Sequence, residues 1–198
     1  SVLSRLQAAY VNDGYQSQYT SAFKAWQDTL PPLRRALEEL LKHLPSSGDW
    51  GVLLEYPLYR LRRRIDAVVL TPTDVVVLEL KTGAAAFLSE DRRQAVEYAL
   101  DLRDFHAASH GARITPVLWA LQAGDVLQEN TPSWGSAGVQ PLVLVGRNGL
   151  GVFLQRMGGP ENFANAAEAK AFGESWDKAS YQPVPTVIDA AVTLFSGH

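Results

Sequence analysis

The chain has 198 residues, a formal net charge of −3, no cysteine, and four histidines without metal-ligand spacing. Disulfides, thiolate metal sites and cysteine nucleophiles are thereby excluded, the histidine spacing argues against a histidine-rich zinc centre, and the charge argues against coating nucleic acid by bulk attraction. No apolar run reaches the ~20 residues of a membrane span and no secretory pattern is present, so one cytoplasmic domain with no membrane partner is expected.

Residues 16–44 have helical periodicity, with Phe23, Trp26, Leu30, Leu33, Leu37, Leu40, Leu41 and Leu44 on one stripe. Pro31-Pro32 lacks two amide donors, which predicts two helices, the second opening at the prolines. A core over residues 50–157 follows, beginning with three strand-like runs, Trp50–Leu58, Leu61–Leu70 and Asp74–Lys81. Ala67–Leu70 and Val75–Leu78 are apolar without alternation, so they predict central strands covered on both faces. Ser89–His110 reads as a helix capped by Ser89 and ended by Gly111, with His106 and His110 as dipole-complementing residues at its end. Further strands are expected at Arg113–Leu121, Gln140–Val145 and Gly151–Arg156, with Gln122–Val139 as a loop. In the last segment, 158–198, Glu161–Phe172 and Val187–Phe195 read as helices. The pattern is α/β, a sheet sandwiched by helices.

One stretch carries chemistry. If Thr71–Asp74 forms the loop of a hairpin, Leu70 pairs with Val75, and continuing that register sets Asp66 opposite Glu79 at ~5 Å between Cβ atoms. Lys81 lies two residues beyond Glu79 and leaves the same face, and Arg64 and Arg62 share the parity of Asp66. Two opposed carboxylates in an apolar sheet repel and raise one pKa. A divalent cation resolves that conflict, Mg²⁺ with Mn²⁺ as a substitute, held by Asp66, Glu79 and the carbonyl of Leu80. Lys81 beside it could orient water or neutralise a scissile phosphate. Arg62 and Arg64 are then candidate phosphate contacts, against a role as an edge-strand charge device. Glu-x-Lys alone carries little weight, with about half a match expected by chance among 21 acids and five lysines, and Glu168-Ala169-Lys170 is a decoy.

Ile65-Asp66, the hairpin and Glu79-Leu80-Lys81 resemble the PD-(D/E)xK nuclease superfamily, although Ile65 stands where that superfamily has a proline. Gln94-Ala95-Val96-Glu97-Tyr98 is similar to the Gln-x-x-x-Tyr element of its RecB-type members. With Glu55-Tyr56-Pro57 and Asp104-Phe105, residues 51–106 resemble the nuclease-like N-terminal domain of bacterial Schlafen-associated DNA/RNA helicases. The resemblance implies a restriction-endonuclease-like mixed sheet and a Mg²⁺-dependent nuclease acting on nucleic acid, with DNA the first expectation. It implies catalytic roles for Asp66, Glu79, Lys81, Gln94 and Tyr98, and an auxiliary metal acid at Glu55, with Glu39 as rival. Tyr181 through Ala191 resembles a lead into a helicase domain, a possible partner, and a homodimer would suit double-strand cuts. The alternative is a nucleic-acid-binding module that kept the fold without turnover. Trp119 is expected to pack in a strand, while Trp134 is open to base stacking.

Overall fold

The computed structural model describes Leu6 and residues 19–130, 138–158 and 166–181. Its centre is a six-stranded mixed sheet in the order β1-β2-β3-β4-β6-β5. The strands are β1 (Gly51–Leu58), β2 (Arg63–Leu70), β3 (Asp74–Lys81), β4 (Arg113–Ala120), β5 (Leu127–Asn130) and β6 (Leu142–Val145). β1, β2 and β3 run antiparallel, β3, β4 and β6 run parallel, and β5 closes the edge antiparallel to β6. The hairpin register is the expected one, with Leu70 opposite Val75 and Ala67 opposite Leu78.

Among the described residues four α-helices cover the sheet: α1 (Tyr19–His43), α2 (Ser89–Phe105), α3 (Gly149–Met157) and α4 (Ala166–Asp177). On one face Leu33 and Leu40 of α1 and Leu150, Phe153 and Leu154 of α3 pack on Val76, Leu78, Leu80, Val117 and Trp119. On the other, Tyr98, Ala99 and Leu102 of α2 and Trp176 of α4 pack on Val68, Leu70, Val75 and Val77. Ala67–Leu70 and Val75–Leu78 are all fully buried, as strands between two helical layers must be. Each such Val or Leu contributes ~1.5–3 kcal/mol by leaving water.

Several expectations are corrected. α1 is one helix of 25 residues with Pro31 and Pro32 inside it, not two. Burial of Trp26 before the prolines and of Leu33 and Leu40 after them holds both halves on one face, which outweighs the missing backbone bonds. Gly151–Arg156 is helical, because Leu150, Phe153 and Leu154 repeat at helical spacing against β6 and α1. The expected loop 122–139 contains β5, which takes its backbone bonds from β6. Leu88, rather than Ser89, occupies the cap position of α2, and that helix ends at Phe105, before a 3-10 turn at Ala107–Ser109. Gly111 ends that turn with φ +85°, a conformation glycine adopts without steric cost. His106 is not a surface helix-end residue: it is fully buried, with Nδ1 2.8 Å from Ser109 Oγ and its ring 4.1 Å from the Trp176 ring. The C-terminal helix is found at Ala166–Asp177 rather than Glu161–Phe172. Trp134, Val187–Phe195 and the tail beyond Tyr181 lie outside the described residues. Among the described residues no helix is long and apolar enough to cross a membrane.

Candidate functional site

The sheet is irregular at one place. Between β1 and β2 the pairing holds at Leu54–Ala67 and at Tyr56–Ile65 but skips Glu55 and Asp66, which stand opposite each other. Glu55 has φ +55°, a left-handed conformation that costs ~1–2 kcal/mol for a residue with a Cβ. Between β2 and β3 the ladder stops at Ala67–Leu78, just before Asp66 and Glu79. The strands splay there, and Asp66 Oδ2 takes the freed amide of Leu80 at 2.7 Å. Side-chain alternation breaks at the same point. Ile65 and Val68 both pack in the α2 layer, so the face of Asp66 cannot be extended by parity to Arg64 and Arg62.

The break lets charged groups converge from both layers. Glu55 turns toward α1, where Trp26 Nε1 donates to its Oε1 at 2.8 Å. Arg64 donates to the Glu55 carbonyl at 2.8 Å and thereby closes the kink. On the α2 side, Glu79 Oε1 accepts from Gln94 Nε2 at 2.7 Å and lies 3.1 Å from Lys81 Nζ. Gln94 Nε2 also reaches the Tyr98 hydroxyl at 2.7 Å, and its Oε1 accepts from Lys81 at 3.4 Å. Asp91 Oδ1 sits 3.0 Å from Lys81 Nζ. Glu79 Oε2 is buried and has no hydrogen-bond partner.

Electrostatics follow from that crowding. Burial, reinforced by Asp66, holds the Glu55 carboxyl up at about 7, with the Trp26 indole pulling the other way. Burial raises Asp66, opposed by the Leu80 amide and Lys81, and burial together with the neighbouring Asp66 raises Glu79 further above the carboxylate range. Burial works against the Lys81 ammonium, but Glu79 and Asp91 outweigh it and hold its pKa above that of an ordinary lysine. Lys81 is therefore a cation at neutral pH, unsuited to act as a base.

Asp66, Glu79, Lys81, Gln94, Tyr98 and Glu55 are thus brought to one place, together with the Leu80 backbone. Arg62 is exposed in the β1–β2 turn with φ +52°, and Arg64 is engaged with β1. Arg63, which sequence reasoning passed over, is the member of the run that acts on the Tyr98 hydroxyl. Glu39 is exposed on α1 and paired with Lys42 at 3.0 Å, apart from the carboxylates. The decoy pair Glu168 and Lys170 is exposed on α4. Trp119 packs, its indole donating to the Gly146 carbonyl at 3.0 Å. Asp91 was missed as a site residue, and its signal was legible: Asp91, Gln94 and Tyr98 fall at i, i+3 and i+7 of α2, one helical face.

Among the described residues no three carboxylates or histidines are placed to cage a metal ion by themselves. Two carboxylates suffice for Mg²⁺, which keeps several waters. The unpartnered Glu79 oxygen beside Asp66 fits such an ion, since a buried acceptor without a donor is costly until a cation reaches it. No protein-family model, curated protein or solved structure matches this chain.

Proposed function

We propose that this domain is a metal-dependent nuclease of restriction-endonuclease-like fold that hydrolyses phosphodiester bonds in nucleic acid. The observation that carries the reading is the Glu79 carboxylate: buried, open at Oε2, and set between Asp66 and the Lys81 ammonium. A protein gains nothing in stability from such a cluster, so its presence supports a functional role. Asp66 and Glu79 would hold Mg²⁺ or Mn²⁺, with the Leu80 carbonyl and Glu55 as further oxygen donors. The ion would supply Lewis-acid polarisation of the phosphate and a more acidic bound water.

The chain's own groups do the rest. Lys81, kept charged by Glu79 and Asp91, stabilises the negative charge that builds on the phosphate as water attacks phosphorus and the P–O bond breaks. Gln94 holds Glu79 and Lys81 in register with two hydrogen bonds, and the Tyr98 hydroxyl contacts Gln94 in turn. Glu55, with a carboxyl near neutrality, can take or return a proton at the site edge.

Purified protein incubated with single- and double-stranded DNA and RNA, in Mg²⁺, Mn²⁺ or EDTA, tests the reading. Metal-dependent cleavage that Lys81→Ala lowers by ~10²–10³-fold without change in circular dichroism is the expected result. Binding without cleavage, weakened steeply by salt, would instead identify a nucleic-acid-binding module. A rise in melting temperature with Mn²⁺ that Glu79→Gln abolishes reports the ion directly.

A further inference from the structure

A trench of about 1130 Å³ lies at the carboxyl ends of β3, β4 and β6, between α1 and α3. Open α/β sheets bind ligands at this end of their parallel strands. Thr82 and Gly83 line it immediately after Lys81, and Leu121, Gln122, Arg147 and Asn148 line it after β4 and β6. A narrow second cleft touches Glu55, Asp66 and Leu80 and is roofed by Trp26, Thr29 and Leu30 of the same helix α1. The two are separate spaces that share the helix α1 as a wall, and Thr82 and Gly83 bring the trench next to Lys81 in the chain.

Its lining offers both halves of hydrogen bonding. Arg35 is exposed on the α1 wall, and Arg147 stands opposite with its Nε on the Leu121 carbonyl at 3.2 Å. Gln27 adds a carboxamide, while that of Gln122 bridges Arg147 and the Thr82 carbonyl and Asn148 Nδ2 donates to Asp125. The Asp28 carbonyl has neither an i+3 nor an i+4 amide to receive, because residues 31 and 32 are both proline. The two prolines that looked like helix breakers thus free a backbone acceptor in the wall of the trench. Asp28 and Glu39 also line it, and Glu39 is neutralised by Lys42.

We infer that this trench, which opens at the strand ends next to Lys81, binds a single nucleic-acid strand, with Arg35 and Arg147 on its phosphates. This rests on the nuclease reading and names its substrate as single-stranded. The volume exceeds the ~300–1,000 Å³ that takes one drug-sized ligand, so a short run of nucleotides fits. The walls converge where α3 packs on α1: a Cβ at Gly151 would stand 3.3 Å from the Ala36 carbonyl. A cleft whose two helical walls meet in this way suits a single strand better than a duplex. Guanidinium recognises phosphate in two-point geometry, and exposed base edges can use the Gln27 carboxamide and the Asp28 carbonyl.

Fluorescent 12-nucleotide single strands of DNA and of RNA, and a 12-base-pair duplex, are titrated in EDTA, so that binding is read apart from cleavage. Arg35→Glu is expected to weaken single-strand binding by about tenfold. It should also flatten the slope of log affinity against log salt by about 0.7 for each phosphate the protein no longer neutralises. Arg34→Glu, on the outer face of the same helix and paired with Glu38, should leave binding within about twofold. Val152→Lys, which places a cation at an exposed position of the lining, should tighten binding about threefold, a gain that misfolding cannot produce. The DNA and RNA arms decide which strand is preferred. The inference is overturned if Arg35→Glu and Arg34→Glu behave alike and Val152→Lys has no effect, or if duplex competes as well as single strand. Arg35-dependent binding with no cleavage in Mg²⁺ retires the nuclease reading and keeps the trench, whereas cleavage indifferent to Arg35 does the reverse.

Discussion

Two places in this molecule bury acidic side chains in opposite ways. Asp101, on α2, gives one oxygen to Arg60 Nε at 2.6 Å and the other to the Tyr181 hydroxyl at 2.5 Å. The Arg60 guanidinium also lies over the Phe105 ring at 4.7 Å. Every acceptor there has its donor, and the network staples the β1–β2 turn to α2 and to Tyr181. At the splayed ends of β2 and β3, by contrast, Asp66 and Glu79 repel, Glu55 is twisted into a left-handed conformation, and Glu79 Oε2 is unmatched. A satisfied buried acid is architecture. An unsatisfied one among its like is stored electrostatic cost, reasonable only where a ligand relieves it.

The largest expected effect separates activity from stability. Glu79→Gln or Asp66→Asn should lower cleavage by ~10²–10³-fold, while raising metal-free stability by ~1–2 kcal/mol as buried repulsion disappears. Thermal melts in EDTA beside a cleavage assay check this, and a variant that loses both would mark the cluster as structural.

The reverse is expected at the other place. Asp101→Ala leaves a guanidinium and a half-buried hydroxyl without their acceptor and should cost ~2–4 kcal/mol. Cleavage per folded molecule should stay unchanged, as read by urea titration and by activity normalised to the folded fraction.

Acidity sharpens the contrast further. Burial depresses the His106 pKa to about 4 from 6.5. As pH falls below 6.5 the unfolded chain takes the proton first, so stability is full above that value and lost down to about pH 4, by up to ~3 kcal/mol. Glu55 has the opposite sign. With its carboxyl raised to about 7 from 4.5, it imposes a cost above pH 7 that is relieved as pH falls toward 4.5, by ~2 kcal/mol. Glu55→Gln should therefore stabilise the protein at pH 8 and steepen its loss of stability on acidification. Urea midpoints between pH 4 and pH 8 test both signs.

The smallest effect concerns the turn. Arg62 holds φ +52°, so Arg62→Gly should stabilise by up to ~1 kcal/mol if the backbone decides. An accompanying fall in the salt dependence of nucleic-acid binding would mark Arg62 as a phosphate contact as well.

Much of this architecture was legible in the chain. Unbroken apolar runs at Ala67–Leu70 and Val75–Leu78 required two covering layers, and a four-residue loop between them set a register that the structure keeps. That register predicted Asp66 opposite Glu79 with Lys81 two residues on, by the local period-two rule of strands, but the ladder stops at Ala67–Leu78 and the Asp66–Glu79 pair is not formed. Asp91 could have been read from the α2 face it shares with Gln94 and Tyr98. What escaped was decided at long range. α1 stays whole through Pro31 and Pro32 because the sheet buries Trp26 on one side of them and Leu33 on the other. Residues 149–157 coil rather than extend because β6 and α1 present a surface for Leu150, Phe153 and Leu154. Glu55 turns back on itself because Trp26 and Arg64 satisfy it from two different elements. Local spacing determines which residues share a face. Only packing between distant segments determines where a strand kinks, which arginine turns inward, and that a trench opens at the ends of the parallel strands, because each depends on groups far apart in the chain.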